Sequence, residues 1–278
     1  MFKSVITRLI YRVYMSEDIY TGIESSDIDK KIILFSVGHR CTSASLIKEL
    51  RIKFESYPFD WVVSKLDVVL HCIQDDFCQY LDQGNYENLI SETFNRCDGE
   101  KRHICHETIS FNKFYETTFL HETGGIEENV LGTYGMMLAM THHNICTDHD
   151  KGYFERCVAR FKNVLTLPQR KYYLYVHPLM GIKEFEEKVS SLLVYFMDFV
   201  DGFKGCTKNS FGIFFVPVKN HARKNQRETI FENEDMIVFV LYTNDNLIDG
   251  GGVYDGDFYN EQYTILTTIE KVVGIGRE

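Results

Sequence analysis

The 278 residues are 44% hydrophobic and 25% charged, with 21 Phe, 17 Tyr and 4 Pro, which excludes disordered, collagen-like and low-complexity classes. A net charge of −10 argues against a broad nucleic-acid surface. No run of about 18 apolar residues occurs, so no transmembrane segment is expected.

The first residues carry Lys3, Arg8 and Arg12 among apolar side chains and lack the continuous apolar stretch of a secretory signal. Eight cysteines in a chain without such a signal read as reduced thiols, and the expected location is the cytoplasm. Residues 1–30 read as an N-terminal extension. A continuous apolar strand, 32–37, follows a charged stretch and is broken by Gly38. Ala44, Ile47, Leu50 and Phe54 then recur at helical spacing. A second helix is predicted over 64–81. The stretch 84–150 is polar, aromatic and irregular, and reads as an insertion or edge region. Further on, the pattern predicts a helix over 152–165, a strand over 172–176 and a long helix over 183–203. Strands over 211–218 and 236–242 and a helix over 260–272 complete the chain. Apolar strands alternating with helices are the pattern of a covered parallel sheet. The expectation is one α/β domain over 1–278, Rossmann-like, with a mostly parallel sheet and helices on both faces.

In an open parallel sheet, ligands bind beyond the carboxyl ends of the strands. That rule selects the loops 38–42, 177–181, 218–227 and 243–252. The first leads into a helix, whose N–H groups favour an anion. Gly38, His39 and Arg40 are therefore candidates for binding a diphosphate. The third loop adds Lys219, Arg223 and Lys224 to the same role, and the fourth is glycine-rich, as a lid or a long turn would be.

Residues 36–61 carry a more specific pattern. Ser36, Val37, Gly38 and Cys41 end the first strand, and Ser56-Tyr57-Pro58-Phe59-Asp60-Trp61 follows the helix. This segment resembles a family of papain-like cysteine peptidases of unknown function, found in bacteria and large DNA viruses, with Val37 in place of the usual Leu. The family's His-His-Asp element has its counterpart in His142-His143-Asn144, with Asn for Asp, ahead of Arg156, Arg160 and Phe161. The resemblance covers about 32–180 and implies a Cys–His hydrolase. Cys41 would be the nucleophile, His142 or His143 the base, and Asn144 or Asp60 the group orienting the imidazole. A viral member would work in the host cytoplasm.

The Rossmann-like expectation supports a different chemistry, and it is the main one here: a glycosyltransferase moving a sugar from a nucleotide-sugar donor to a glycan acceptor. Asp60, between Phe59 and Trp61, would deprotonate the acceptor. The Asp148-His149-Asp150 pattern would hold Mg²⁺ or Mn²⁺ against the donor. A zinc site from Cys97, His103, Cys105 and His106 is disfavoured, because no Cys-x₂-Cys pair occurs among them. A third reading is a non-catalytic binding or virion-associated protein that retains an enzyme fold. Neither the oligomeric state nor the acceptor follows from these residues.

Overall fold

The chain divides into a unit Met1–Lys31 and a unit Ile32–Glu278. A computed structural model describes residues 32–39, 41–97, 101–119, 137–140, 143–243 and 256–275, all in the second unit. Of 89–97, 101–108, 221 and 256–261 only the backbone is described. The expected N-terminal extension lies outside these residues.

The unit begins with β1 (Ile33–Ser36) and α1 (Cys41–Glu49). Next come β2 (Val62–Ser64), α2 (Leu66–Gln74) and α3 (Cys78–Leu81). A long hairpin, β3 (Tyr86–Cys97) and β4 (Lys101–Asn112), leads to α4 (Lys113–Phe119) and β5 (Leu138–Met140). Then α5 (Asp148–Thr166), β6 (Lys171–Val176), β7 (Met180–Gly181) and α6 (Ile182–Cys206) follow. The last elements are β8 (Ser210–Lys219), β9 (Arg227–Glu232), β10 (Met236–Thr243) and α7 (Gly256–Val273).

These strands form two sheets. The first has the order β1-β6-β8-β10-β9, with β7 beside β8. It is mixed: β1, β6, β8 and β10 pair in parallel, whereas β9 runs antiparallel to β10 with a register shift between Val238 and Phe239. The second sheet, β2-β5-β4-β3, is antiparallel throughout. The expectation of a single Rossmann-like, mostly parallel sheet is therefore incorrect. The strands it missed are those that do not read as continuous apolar runs. β3 and β4 mix charged, polar and apolar residues, as antiparallel strands do when only part of their surface is buried. The described residues within 84–150 are thus largely strand and helix.

The first sheet separates two apolar cores because successive side chains point to opposite faces. Phe35, Val37, Tyr173, Tyr175, Phe214 and Val216 pack on one side with Val69, Phe161, Phe196 and Phe203 from α2, α5 and α6. Leu34, Leu174, Val176, Ile213 and Phe215 pack on the other with Leu46 and Ile47 of α1 and Ile265 and Ile269 of α7. The helix predicted over 64–81 is broken at Asp76 and Phe77, which adopt positive φ of 59° and 64°. The Asp75 carboxylate stabilises that turn by accepting the amides of Phe77 and Gln79, each at 3.0 Å.

Candidate functional site

The chain leaves β1 through a turn held by serine hydroxyls. Val37 donates its amide to the Leu174 carbonyl at 3.1 Å, a bond of the parallel ladder. Gly38 then takes φ +91°, a conformation that favours glycine. A Cβ at this position would collide with the Ser64 hydroxyl. The Gly38 amide donates to Ser36 Oγ at 3.2 Å, and the Ser43 hydroxyl donates to the Gly38 carbonyl at 3.0 Å. His39 is buried, pairs through its backbone with Ser64, and has its ring 6.3 Å from that of Tyr175. Cys41 follows as the first residue of α1 and is partly exposed. Arg40 lies outside the described residues.

His143 belongs to a second group, at the start of α5. Its ring stacks on Tyr153 at 4.7 Å and meets the Phe154 ring edge-on at 5.4 Å. Its Nδ1 lies 3.5 Å from Asp150 Oδ1. Asp150 also accepts the Asn144 amide at 2.7 Å and faces His149 Nδ1 at 3.0 Å. Burial opposes the ionisation of Asp150, but the Asn144 amide and the two imidazoles outweigh it and hold the carboxyl below its ordinary range. The carboxylate beside His143 Nδ1 is thus that of Asp150. Strand β2 links the two groups: its Ser64 pairs with His39 and its Val62 with Met140, three residues before His143. His142 lies outside the described residues.

Asp60 is fully buried, and the carbonyl of the preceding Phe59 accepts from Ser36 Oγ at 3.5 Å. Its Oδ2 accepts the Tyr57 amide at 2.7 Å and pairs with the Lys53 ammonium. Burial raises its pKa, while the Lys53 charge and hydrogen bond and the Tyr57 amide oppose the rise. The neighbouring Phe59 packs among Phe77, Tyr80 and Phe161. The Ser-Tyr-Pro-Phe-Asp-Trp element thus includes a turn whose Asp60 carboxylate is buried.

The expected anion loop is also engaged by the protein. The Arg223 guanidinium lies 3.9 Å above the Tyr242 ring, donates to its hydroxyl at 2.7 Å and pairs with Glu228. Lys219 ends β8 exposed, and Lys224 follows a short 3₁₀ turn. Asp148 and Asp150 lie in the first turn of α5, where the Thr147 hydroxyl caps the helix by accepting the Asp150 amide at 3.2 Å. Among the described residues, no three His, Cys, Asp or Glu side chains gather as a metal would require. The side chains of Cys97, His103, Cys105 and His106 and the glycine-rich loop 244–252 lie outside the described residues. No helix of the described residues is long and apolar enough to cross a membrane.

Sequence reasoning gave no role to Ser43 and Ser64 and took Ser36 only as part of the family pattern. It selected the loop 177–181 but gave no role to His177, the residue that follows β6. Its Nδ1 lies 2.9 Å from the Pro178 carbonyl, which fixes the proton on that nitrogen. Burial pulls its pKa down to about 4, against the Pro178 carbonyl and the Glu184 charge.

No curated protein and no solved structure matches the chain. One family model matches residues 32–194, a stretch that takes in Cys41, Asp60, His143 and Asp150. Its description names a cysteine peptidase, and it overturns the expected glycosyltransferase. Because the match spans more than half of the 278 residues, the chain belongs to the family described as "Putative papain-like cysteine peptidase".

Proposed function

We propose that the protein is a cysteine hydrolase in which Cys41 is the nucleophile and His143, oriented by Asp150, is the base. The observation that carries the reading is the placement of Cys41. It is partly exposed, it opens a nine-residue helix, and four residues separate it from the end of β1. A helix N-terminus favours the thiolate over the thiol. In the proposed cycle, His143 takes the thiol proton and the sulfur attacks an amide or ester carbonyl. The proton passes to the leaving amine or alcohol, and water hydrolyses the resulting thioester. The six cysteines whose side chains are described are all free thiols, which supports work in a reducing compartment, the cytoplasm.

The test is competitive alkylation. At limiting iodoacetamide and neutral pH, Cys41 should be modified well before the exposed thiols Cys78 and Cys146. Cys41→Ser should abolish hydrolysis of p-nitrophenyl acetate, and His143→Ala should slow it by about 10²-fold or more. Alkylation of Cys41 no faster than that of Cys78 and Cys146 would defeat the reading.

A further inference from the structure

The nucleophile turn contains a substitution of partners that the sequence does not announce. In a parallel ladder, a residue whose amide donates to one neighbour accepts at its carbonyl from the residue two further on. Val37 donates to the Leu174 carbonyl, so an uninterrupted β1 would present the Val37 carbonyl to the Val176 amide. The Val176 amide instead donates to Ser43 Oγ at 3.2 Å. The same hydroxyl donates to the Gly38 carbonyl at 3.0 Å, and Ser43 is buried. Ser43 therefore does two things from within α1. It satisfies the β6 amide that β1 abandons, and it fixes the carbonyl of the residue at which the chain swings out of the sheet. A second buried hydroxyl bounds the turn from the other side: Ser64 Oγ sits against Gly38 Cα, has no hydrogen-bond partner among the described residues, and closes the space a larger residue at 38 would need.

We propose that Ser43 is a positioning residue for Cys41. By clamping Gly38 to Val176, its hydroxyl sets where β1 ends and hence where the thiol, three residues beyond Gly38, stands over the sheet. This rests on the hydrolase reading of Cys41. An apolar residue at 43 would leave two buried backbone groups unpaired, and the turn can recover partners for them only by moving.

The experiment compares Ser43→Thr with Ser43→Val, which differ in the hydroxyl and match in size, and adds Ser43→Ala. Each is read by the acylation burst with p-nitrophenyl acetate and by the pH profile of iodoacetamide alkylation at Cys41. Thr should keep both near wild type. Val and Ala should lower the burst rate by about 100-fold, the scale of a misplacement of roughly 1 Å, and move the alkylation profile to higher pH. A purely structural role would lower the melting temperature and leave the profile of the folded protein where it was. A folded Val or Ala variant with the wild-type burst and profile overturns the proposal. Wild-type hydrogen exchange gives a reading free of substitution: the Val176 amide should be as protected as that of Leu174, and free exchange there refutes the clamp. A wild-type Cys41 without selective reactivity defeats the hydrolase reading itself. A selective Cys41 indifferent to Ser43 defeats the positioning role alone.

Discussion

Replacing Asp60 by Ala separates a folded turn from a chemical group. The carboxylate is fully buried and serves the Tyr57 amide and the Lys53 ammonium, whose side chain is only 10% exposed. Truncation leaves a nearly buried cation without its counter-charge and a part-buried amide without its acceptor. Removing one partner of a buried pair costs about 3–5 kcal/mol. With an unfolding entropy of roughly 2 cal/mol/K per residue, a unit of this size loses about 2 °C for each kcal/mol. The expected fall in melting temperature is therefore about 6–10 °C, read by circular dichroism at neutral pH. The double variant Lys53→Met with Asp60→Leu, which removes both charges, should recover part of it, because apolar replacement of a buried pair is often neutral. At a temperature where Asp60→Ala remains folded, Cys41 should alkylate as in the wild type. A variant that melts with the wild type yet loses Cys41 reactivity would show that Asp60 belongs to the chemistry and not to the folded turn.

Two further substitutions test the packing around the sheet ends. His177 has a folded pKa of about 4 against an ordinary value of 6.5. Its folded pKa is depressed, so its stabilising contribution is present above pH 6.5 and is lost as pH falls through 4. The loss amounts to about 3 kcal/mol across that window. The difference in unfolding free energy between wild type and His177→Gln, measured by urea titration at pH 7 and pH 4, should shrink in that direction and by about that amount; parallel pH curves would refute it. Gly212→Ala would place a methyl group 2.8 Å from the Tyr173 ring and 2.5 Å from the Phe214 ring, both buried. Overpacking of this kind costs about 1–3 kcal/mol, so a melting temperature equal to wild type would contradict the described packing.

Legibility along this chain follows the hydrophobic pattern. The segments that read as strands over 172–176, 211–218 and 236–242 are β6, β8 and β10, whose residues are apolar on both faces because each face carries a core. Their runs are unbroken, and unbroken runs are what periodicity detects. The second sheet escaped because β2 and β5 span three residues each and β3 and β4 carry charges. Phe54 was counted on the stripe of α1, but the helix ends at Glu49 and Phe54 is 46% exposed. A match of spacing cannot say where a helix stops when no cap marks the end.

The candidate site divides along the same line. Cys41 and His143 could be picked out as residue types, since a thiol at a helix start and an imidazole near a carboxylate carry their chemistry in their names. The groups that give them a setting could not. Asp150 read as half of a metal pattern because Asp-x-Asp in a sequence does not reveal that the Asn144 amide and the His143 ring already occupy one of its carboxylates. Asp60 read as a base because its aromatic neighbours suggested partial burial, when the burial is complete and Lys53 supplies its charge partner from the preceding loop. Ser43 drew no reading, because its weight comes from an amide 133 positions away, and a serine that replaces a strand partner differs from any other serine only in where it lies. A nucleophile is visible one residue at a time, whereas its alignment depends on which backbone groups the ending of a strand leaves without partners.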